Sequence, residues 1–266
     1  MMKLTGKTFL ISGVANKKSV AYFTAKVLID QGSNIIFSAQ NETNKSKISK
    51  LFPDADVFIL DVEKKNEIKA LKTNVLKFTN KLDGILHSMA FANFEDGIKP
   101  FHETKLQDFL QATHISSFSL VQMTNQLYDL LDTEASIVTI GISNTKATSY
   151  GYLGPIKAML ESTVHFLAKS LSETKKIRVN CVGAGPLKTS ASAGIPDYID
   201  NYIFSEALTL RKENLHTSEV ANTIAFLLSP ISSGINAETI IVDAGMCVNH
   251  FTQDVVKGYN QSLKDS

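Results

Sequence analysis

Tyr150 and Lys157 are the pair in this chain whose types and spacing are best suited to acid–base work. Seven steps of ~100° return a helix to nearly the same face, so a helix over 149–172 would carry the phenol and the ammonium on one stripe. A cation beside a phenol favours the phenolate and lowers the phenol's pKa, while the hydroxyl can donate a proton or hydrogen bond to a developing oxyanion. Tyr152 falls ~140° from Lys157 on the same wheel and is the poorer partner. Pro155 requires the helix to begin within a turn of it.

A second set of residues suits a dinucleotide. Gly13 ends a short apolar run, and Ser19 and Val20 open the periodic segment that follows. Such a turn aims a helix amino terminus at a pyrophosphate. The segment is not GxGxxG, and both residues have plainer uses: Gly13 as a positive-φ position, Ser19 as a helix N-cap. Gln40 follows the second apolar run. It can hydrogen-bond a ribose diol and brings no positive charge for a 2′-phosphate, which points to NADH over NADPH. Asp61 and Val62, after the third run, are placed for an adenine edge, although Asp61 could equally cap the next helix.

The elements that must position these residues alternate. Short apolar runs at 8–12, 34–39, 56–60, 84–90, 136–140, 177–183 and 238–244 read as strands covered on both faces. Helical periodicity fills 19–31, 43–51, 63–78, 105–131, 149–172 and 217–228. Strand and helix in strict turn predict an α/β fold, a Rossmann-like doubly wound parallel sheet of seven strands with helices on both faces. No linker or repeat divides it, so one domain is expected over 1–266. Residues 189–216 interrupt the rhythm after the sixth strand, where an insertion overhangs the ligand crevice, and are expected to form a lid. The polar tail after Phe251 is expected to fray.

Composition narrows the function classes. Lys plus Arg number 27 and Asp plus Glu 26, a net +1 that supplies no field for nucleic acid or an anionic membrane. No apolar run reaches the ~18 residues of a membrane span, and the opening residues lack the pattern of a signal peptide. Cys181 and Cys247 have no metal spacing and read as free thiols of a reducing cytoplasm. The six histidines show no metal pattern either, and no GxSxG elbow is present.

Beyond single residues, the chain resembles the NADH-dependent enoyl-[acyl-carrier-protein] reductases of bacterial fatty-acid synthesis, a divergent branch of the short-chain dehydrogenase/reductases. The resemblance runs from about Thr5 to Phe251. It rests on Tyr150-x6-Lys157, GVANKKSVAY after the first strand, Gln40, LDV at 60–62, LHSMAFA at 86–92, HISSFSL at 114–120, SIVT at 136–139, IRVNCVGAGPLKT at 177–189 and VDAG at 242–245. It implies cofactor contacts from Gly13, Ser19, Val20, Gln40, Asp61, Val62 and Met89. Lys157 would hold the nicotinamide ribose, and Leu187, Lys188, Thr189, Ser190 and Ala191 would cover the nicotinamide and pyrophosphate. Ala92 would lie beside an enoyl thioester on acyl carrier protein, Tyr150 would be catalytic, no metal would be needed, and the chain would form a homotetramer.

Three departures stand against that pattern. Ile142 occupies the place of a second tyrosine that the family commonly carries after the fifth strand. The segment from Gly194 to Asp200 lacks the basic residues expected to meet an acidic carrier, leaving Arg211 and Lys212 further along as substitutes. Phe23 stands where the first helix usually has glycine. These differences leave two other readings open: a related reductase with a carbonyl or different enoyl substrate, and a dinucleotide-binding protein without catalysis.

Overall fold

The computed structural model describes residues 2–189, 192–196 and 198–264. Seven parallel strands form one sheet in the order β3-β2-β1-β4-β5-β6-β7. They are β1 (Thr8–Ser12), β2 (Asn34–Ala39), β3 (Asp56–Ile59), β4 (Leu82–His87), β5 (Leu131–Ile142), β6 (Arg178–Ala184) and β7 (Thr239–Val242). The two-residue period of β1 explains the layering: Phe9 and Ile11 point into one apolar layer and Leu10 into the other. The first layer is covered by α1 (Val20–Asp30), α2 (Glu42–Leu51) and α8 (Thr217–Leu228), through Ala21, Leu28, Ile48, Val220 and Ile224. The opposite layer lies under α3 (Lys65–Val75), α5 (Ser119–Leu127) and α6 (Leu153–Ser172), through Leu71, Met123, Leu160 and Val164.

The chain order reverses between β1 and β4, which are neighbours in the sheet. In a doubly wound sheet that reversal opens a crevice outside the carboxyl ends of the strands, where ligands bind.

Three expectations need correction. The segment 105–131 is not one helix: α4 (Leu106–Thr113) widens into a π-helical turn over His114–Phe118, then continues as α5 and a 3-10 turn at Tyr128–Leu130. The stripe of 149–172 is broken as well. Thr148–Tyr150 is a separate 3-10 turn, and Gly151 follows at φ 58° and ψ −150°, a backbone region closed to side-chain-bearing residues. Only then does α6 begin, so Lys157 is helical and Tyr150 is not; Pro155 falls in the first turn, where proline is tolerated. Finally, the tail forms α9 (Gln253–Ser262), which packs on α7 (Tyr198–Leu208) rather than fraying.

Phe23 remains half-exposed, with its ring edge-on to Tyr22 at 5.5 Å, and so does not wedge α1 away from its neighbours.

Candidate active site

Gly13 closes β1 at φ 93°, and a Cβ built on it would lie 1.8 Å from the Ser88 carbonyl oxygen. The β1 turn and the segment after β4 therefore touch backbone to backbone at the crevice. Ser19 occupies the N-cap position of α1 but does not cap it with its side chain; its hydroxyl donates to the Asn16 carbonyl. No acidic residue sits in the first turn of α1. An amino terminus left in this way suits a pyrophosphate, so the residues present fit a dinucleotide. Val20 is buried at its start, while Gln40 is exposed beyond β2. Asp61 makes a local turn ahead of α3, accepting the Glu63 N–H at 3.1 Å and facing Lys64 at 3.5 Å, but it does not cap that helix, whose N-cap position is Lys64. Val62 is buried under α3.

On the other side of the crevice, Lys157 is 5% exposed and its ammonium donates to the Ile140 carbonyl at 2.8 Å. Burial pushes its pKa down to about 8. Beside it, the Cys181 thiol is pushed up to about 12, again mainly by burial. His87, at the end of β4, is buried between two hydroxyls: Nδ1 lies 2.9 Å from Thr139 Oγ1 and Nε2 lies 2.8 Å from Ser119 Oγ. Burial first, and the Lys157 charge second, push its pKa down to about 3, so the imidazole is neutral.

The phenol of Tyr150 behaves differently from the sequence expectation. Burial raises its pKa above the ordinary value, and ionisation of the neighbouring Tyr198 would raise it further; Lys157 is not among the causes. A phenol in this setting keeps its proton and serves as a hydrogen-bond donor. Tyr152, set aside on the helical wheel, is a packing residue: its hydroxyl donates to the Asn93 carbonyl at 2.8 Å, and its ring lies 5.2 Å from that of Phe94.

The segment following β4 carries Met89 and Ala92, both half-buried. It is held by the π-helical turn, where Ser116 Oγ accepts the Phe91 N–H at 2.9 Å and donates to the Phe91 carbonyl at 3.1 Å. After β6, Leu187 is buried and donates its N–H to the Tyr198 hydroxyl at 2.8 Å. Lys188 is exposed, and Thr189 N–H donates to Ser192 Oγ at 2.9 Å. Ser190 and Ala191 lie outside the described residues. The sequence reading did not single out His87, Ser116, Ser119 or Tyr198. The first three sit within LHSMAFA and HISSFSL, segments quoted for the resemblance; Tyr198 has no comparable signal.

Arg211 and Lys212, the substitutes for a basic carrier site, are already engaged. Arg211 pairs with both carboxylate oxygens of Glu219 at 2.5 and 2.7 Å, while Lys212 donates to the Ala207 carbonyl at 2.7 Å. The Arg211 contact holds the Glu219 carboxyl down at about 2.

A parallel sheet that reverses at β1 and β4, with a buried lysine on the helix after β5 and a protonated phenol in the turn before it, places the chain among the short-chain reductases. Comparison with known proteins narrows the class. A family model described as enoyl-(acyl carrier protein) reductase matches residues 13–247. The chain is 37% identical over 248 residues to the NADH-dependent enoyl-[acyl-carrier-protein] reductase FabI of Enterococcus faecalis, covering 92% of this chain and 99% of that one. It is 36% identical over 252 residues to the NADPH-dependent FabI of Staphylococcus aureus strain MRSA252, covering 92% and 98%. Among solved structures, the enoyl-[acyl-carrier-protein] reductase (NADH) of Aquifex aeolicus superposes with a TM-score of 0.89 at 29% identity, covering 94% of this chain and 99% of that one. The chain belongs to the enoyl-[acyl-carrier-protein] reductase family.

Proposed function

We propose that this chain reduces the trans-2 double bond of enoyl thioesters carried on acyl carrier protein, with NADH as reductant, in fatty-acid elongation. The observation that carries the reading is the buried Lys157 ammonium, anchored on the Ile140 carbonyl at the crevice end of β5 and preceded by the protonated Tyr150. When bound, NADH supplies a hydride to the β-carbon, and the electron pair of the double bond moves toward the thioester oxygen. Tyr150 donates a hydrogen bond to that oxygen as enolate charge develops, and a solvent proton at the α-carbon completes the saturated product. Lys157 holds the nicotinamide ribose. Gly13, Ser19 and Val20 receive the pyrophosphate, and Gln40 the adenosine ribose. Asp61 and Val62 border the adenine. Met89 and Leu187 to Ala191 enclose the nicotinamide side, with Ala92 against the acyl chain.

The neutral Gln40 supports NADH; relatives of both cofactor types are equally similar, so the preference belongs to this reading. We also place the chain in the cytoplasm, as one domain with a lid over 189–216. Among the described residues, no helix is long and apolar enough to cross a membrane. Leu106 and Leu110 of α4, Phe118 of the π-helical turn and Phe166 of α6 are between 52% and 76% exposed, an apolar surface that assembly into a homotetramer would cover. The test follows NADH absorbance with a trans-2-enoyl carrier thioester, its CoA analogue and a 3-ketoacyl thioester. Oxidation with the enoyl compounds is expected; turnover with the keto compound alone overturns the reading. Light scattering reports the assembly.

A further inference from the structure

A small apolar cluster stands apart from the two layers that cover the sheet. Ala112, Tyr152 and Ile156 form its buried part, and Ala92, Phe94 and Phe109 pack against it. The cluster joins the segment after β4, which carries Ala92, to the turn that carries Tyr150. Tyr152 is the joint. It follows Tyr150 across Gly151, and its ring lies 5.2 Å from that of Phe94 and 6.5 Å from that of Phe109. Its hydroxyl donates to the Asn93 carbonyl at 2.8 Å. Gly151 adds to the same contact, since a Cβ built on it would lie 3.4 Å from the Phe94 ring and 3.5 Å from Ile98.

Ala92 thus sits between two anchored neighbours. On one side Ser116 Oγ engages both backbone groups of Phe91; on the other Tyr152 holds the Asn93 carbonyl. The anchors differ in what they fasten the segment to. Ser116 ties it to the π-helical turn, whereas Tyr152 ties it to the turn on which the Tyr150 phenol is mounted. We propose that Tyr152 is a positioning residue for the reduction: its hydroxyl fixes the acyl chain beside Ala92 in register with the phenol that donates to the thioester oxygen. This rests on the enoyl reductase reading. In this role Tyr152 acts through Asn93 and Ala92 rather than by touching the substrate. A misplacement of ~1 Å between reacting groups can cost about 100-fold in rate, so a single hydroxyl at this joint carries weight in the chemistry.

The test is Tyr152→Phe, made alone and on top of Tyr150→Phe. The ring and its packing stay, and the Ser116 contacts with the Asn93–Asp108 hydrogen bond at 3.1 Å keep the segment folded. Steady-state rates with a trans-2-enoyl thioester are measured beside NADH affinity, by fluorescence titration, and the thermal midpoint. Alone, the substitution should lower kcat and kcat/KM together by at least about tenfold, with NADH affinity unchanged. The midpoint should fall by no more than about 4 °C, the scale of one lost hydrogen bond. On Tyr150→Phe, the further loss of kcat should stay below about twofold, because no phenol is left to place. A structural role would multiply the two losses instead. A single variant within about twofold of the parent overturns the proposal, as does a further loss of about tenfold on Tyr150→Phe. So does a fall in kcat matched by losses of NADH affinity and thermal midpoint. If the parent chain oxidises NADH with no enoyl thioester, the reductase reading fails and this inference with it. If the parent is active and one of the overturning results is seen, only the inference fails.

Discussion

Lys157→Met separates a cation kept for a ligand from one kept for the fold. The ammonium is almost fully buried, and the drop from 10.5 to about 8 corresponds to ~3 kcal/mol of penalty for holding the charge at neutral pH. Against it stands one charge-assisted hydrogen bond to the Ile140 carbonyl, worth about 1.5–3 kcal/mol. The two nearly cancel, and methionine fills a similar volume, so urea denaturation at pH 7 should move by no more than ~1.5 kcal/mol. NADH affinity should fall by about 10- to 100-fold, because the lost donors to the ribose are charged. The pH dependence adds a second signature. Since the folded pKa lies below the unfolded one, the unfolded chain binds more protons between about 8 and 10.5, and parental stability rises with pH through that window. The variant lacks that rise. A variant destabilised by more than ~3 kcal/mol with NADH affinity intact would refute the assignment and make Lys157 a structural residue.

Three further outcomes are expected. Tyr150→Phe lowers kcat by about 100-fold while NADH titrations match the parent; equal turnover would remove Tyr150 from the chemistry. Gly13→Ala combines a positive φ with a Cβ 1.8 Å from a backbone oxygen, so urea melts should show a loss of ~2–5 kcal/mol together with weaker NADH binding, and an unperturbed melt would contradict the described turn. His87 is neutral when folded, with its pKa down from 6.5 to about 3, so its contribution is complete above pH 6.5 and is lost as pH falls toward 3, by about 1.4 kcal/mol per pH unit. His87→Gln should flatten the acid limb of the stability profile; an unchanged limb would place the titration elsewhere.

Most of the architecture was readable because parallel strands buried on both faces appear as unbroken apolar runs, as in TFLIS and NIIFSA, whose ends match β1 and β2. Longer elements were harder. Periodicity alone could not show that Gly151 separates Tyr150 from α6, since a helical wheel assumes one continuous helix. The pair was singled out for a geometry that the chain does not adopt. Nor could it show the π-helical turn, because one extra residue changes the phase of a helix without changing its composition. The adenine-side reading of Asp61 left a capping use open, but its carboxylate closes a turn on Glu63 ahead of α3 and does not cap the helix. Tyr198 escaped notice for a different reason. Its place beside the crevice comes from a hydrogen bond to Leu187 across a loop, a relation with no fixed spacing in the chain.

The widened turn at His114–Phe118 makes the length of this stretch as consequential as its residues. Ser116 there grips Phe91, and Ser119 just beyond grips His87, so both reach the carboxyl edge of β4. Deleting a single residue would restore ordinary helical pitch and swing everything on one side by ~100°, detaching one serine or the other. Relatives that differ by an insertion or deletion here should therefore carry a compensating change near Phe91 or His87, although neither serine is assigned to a ligand.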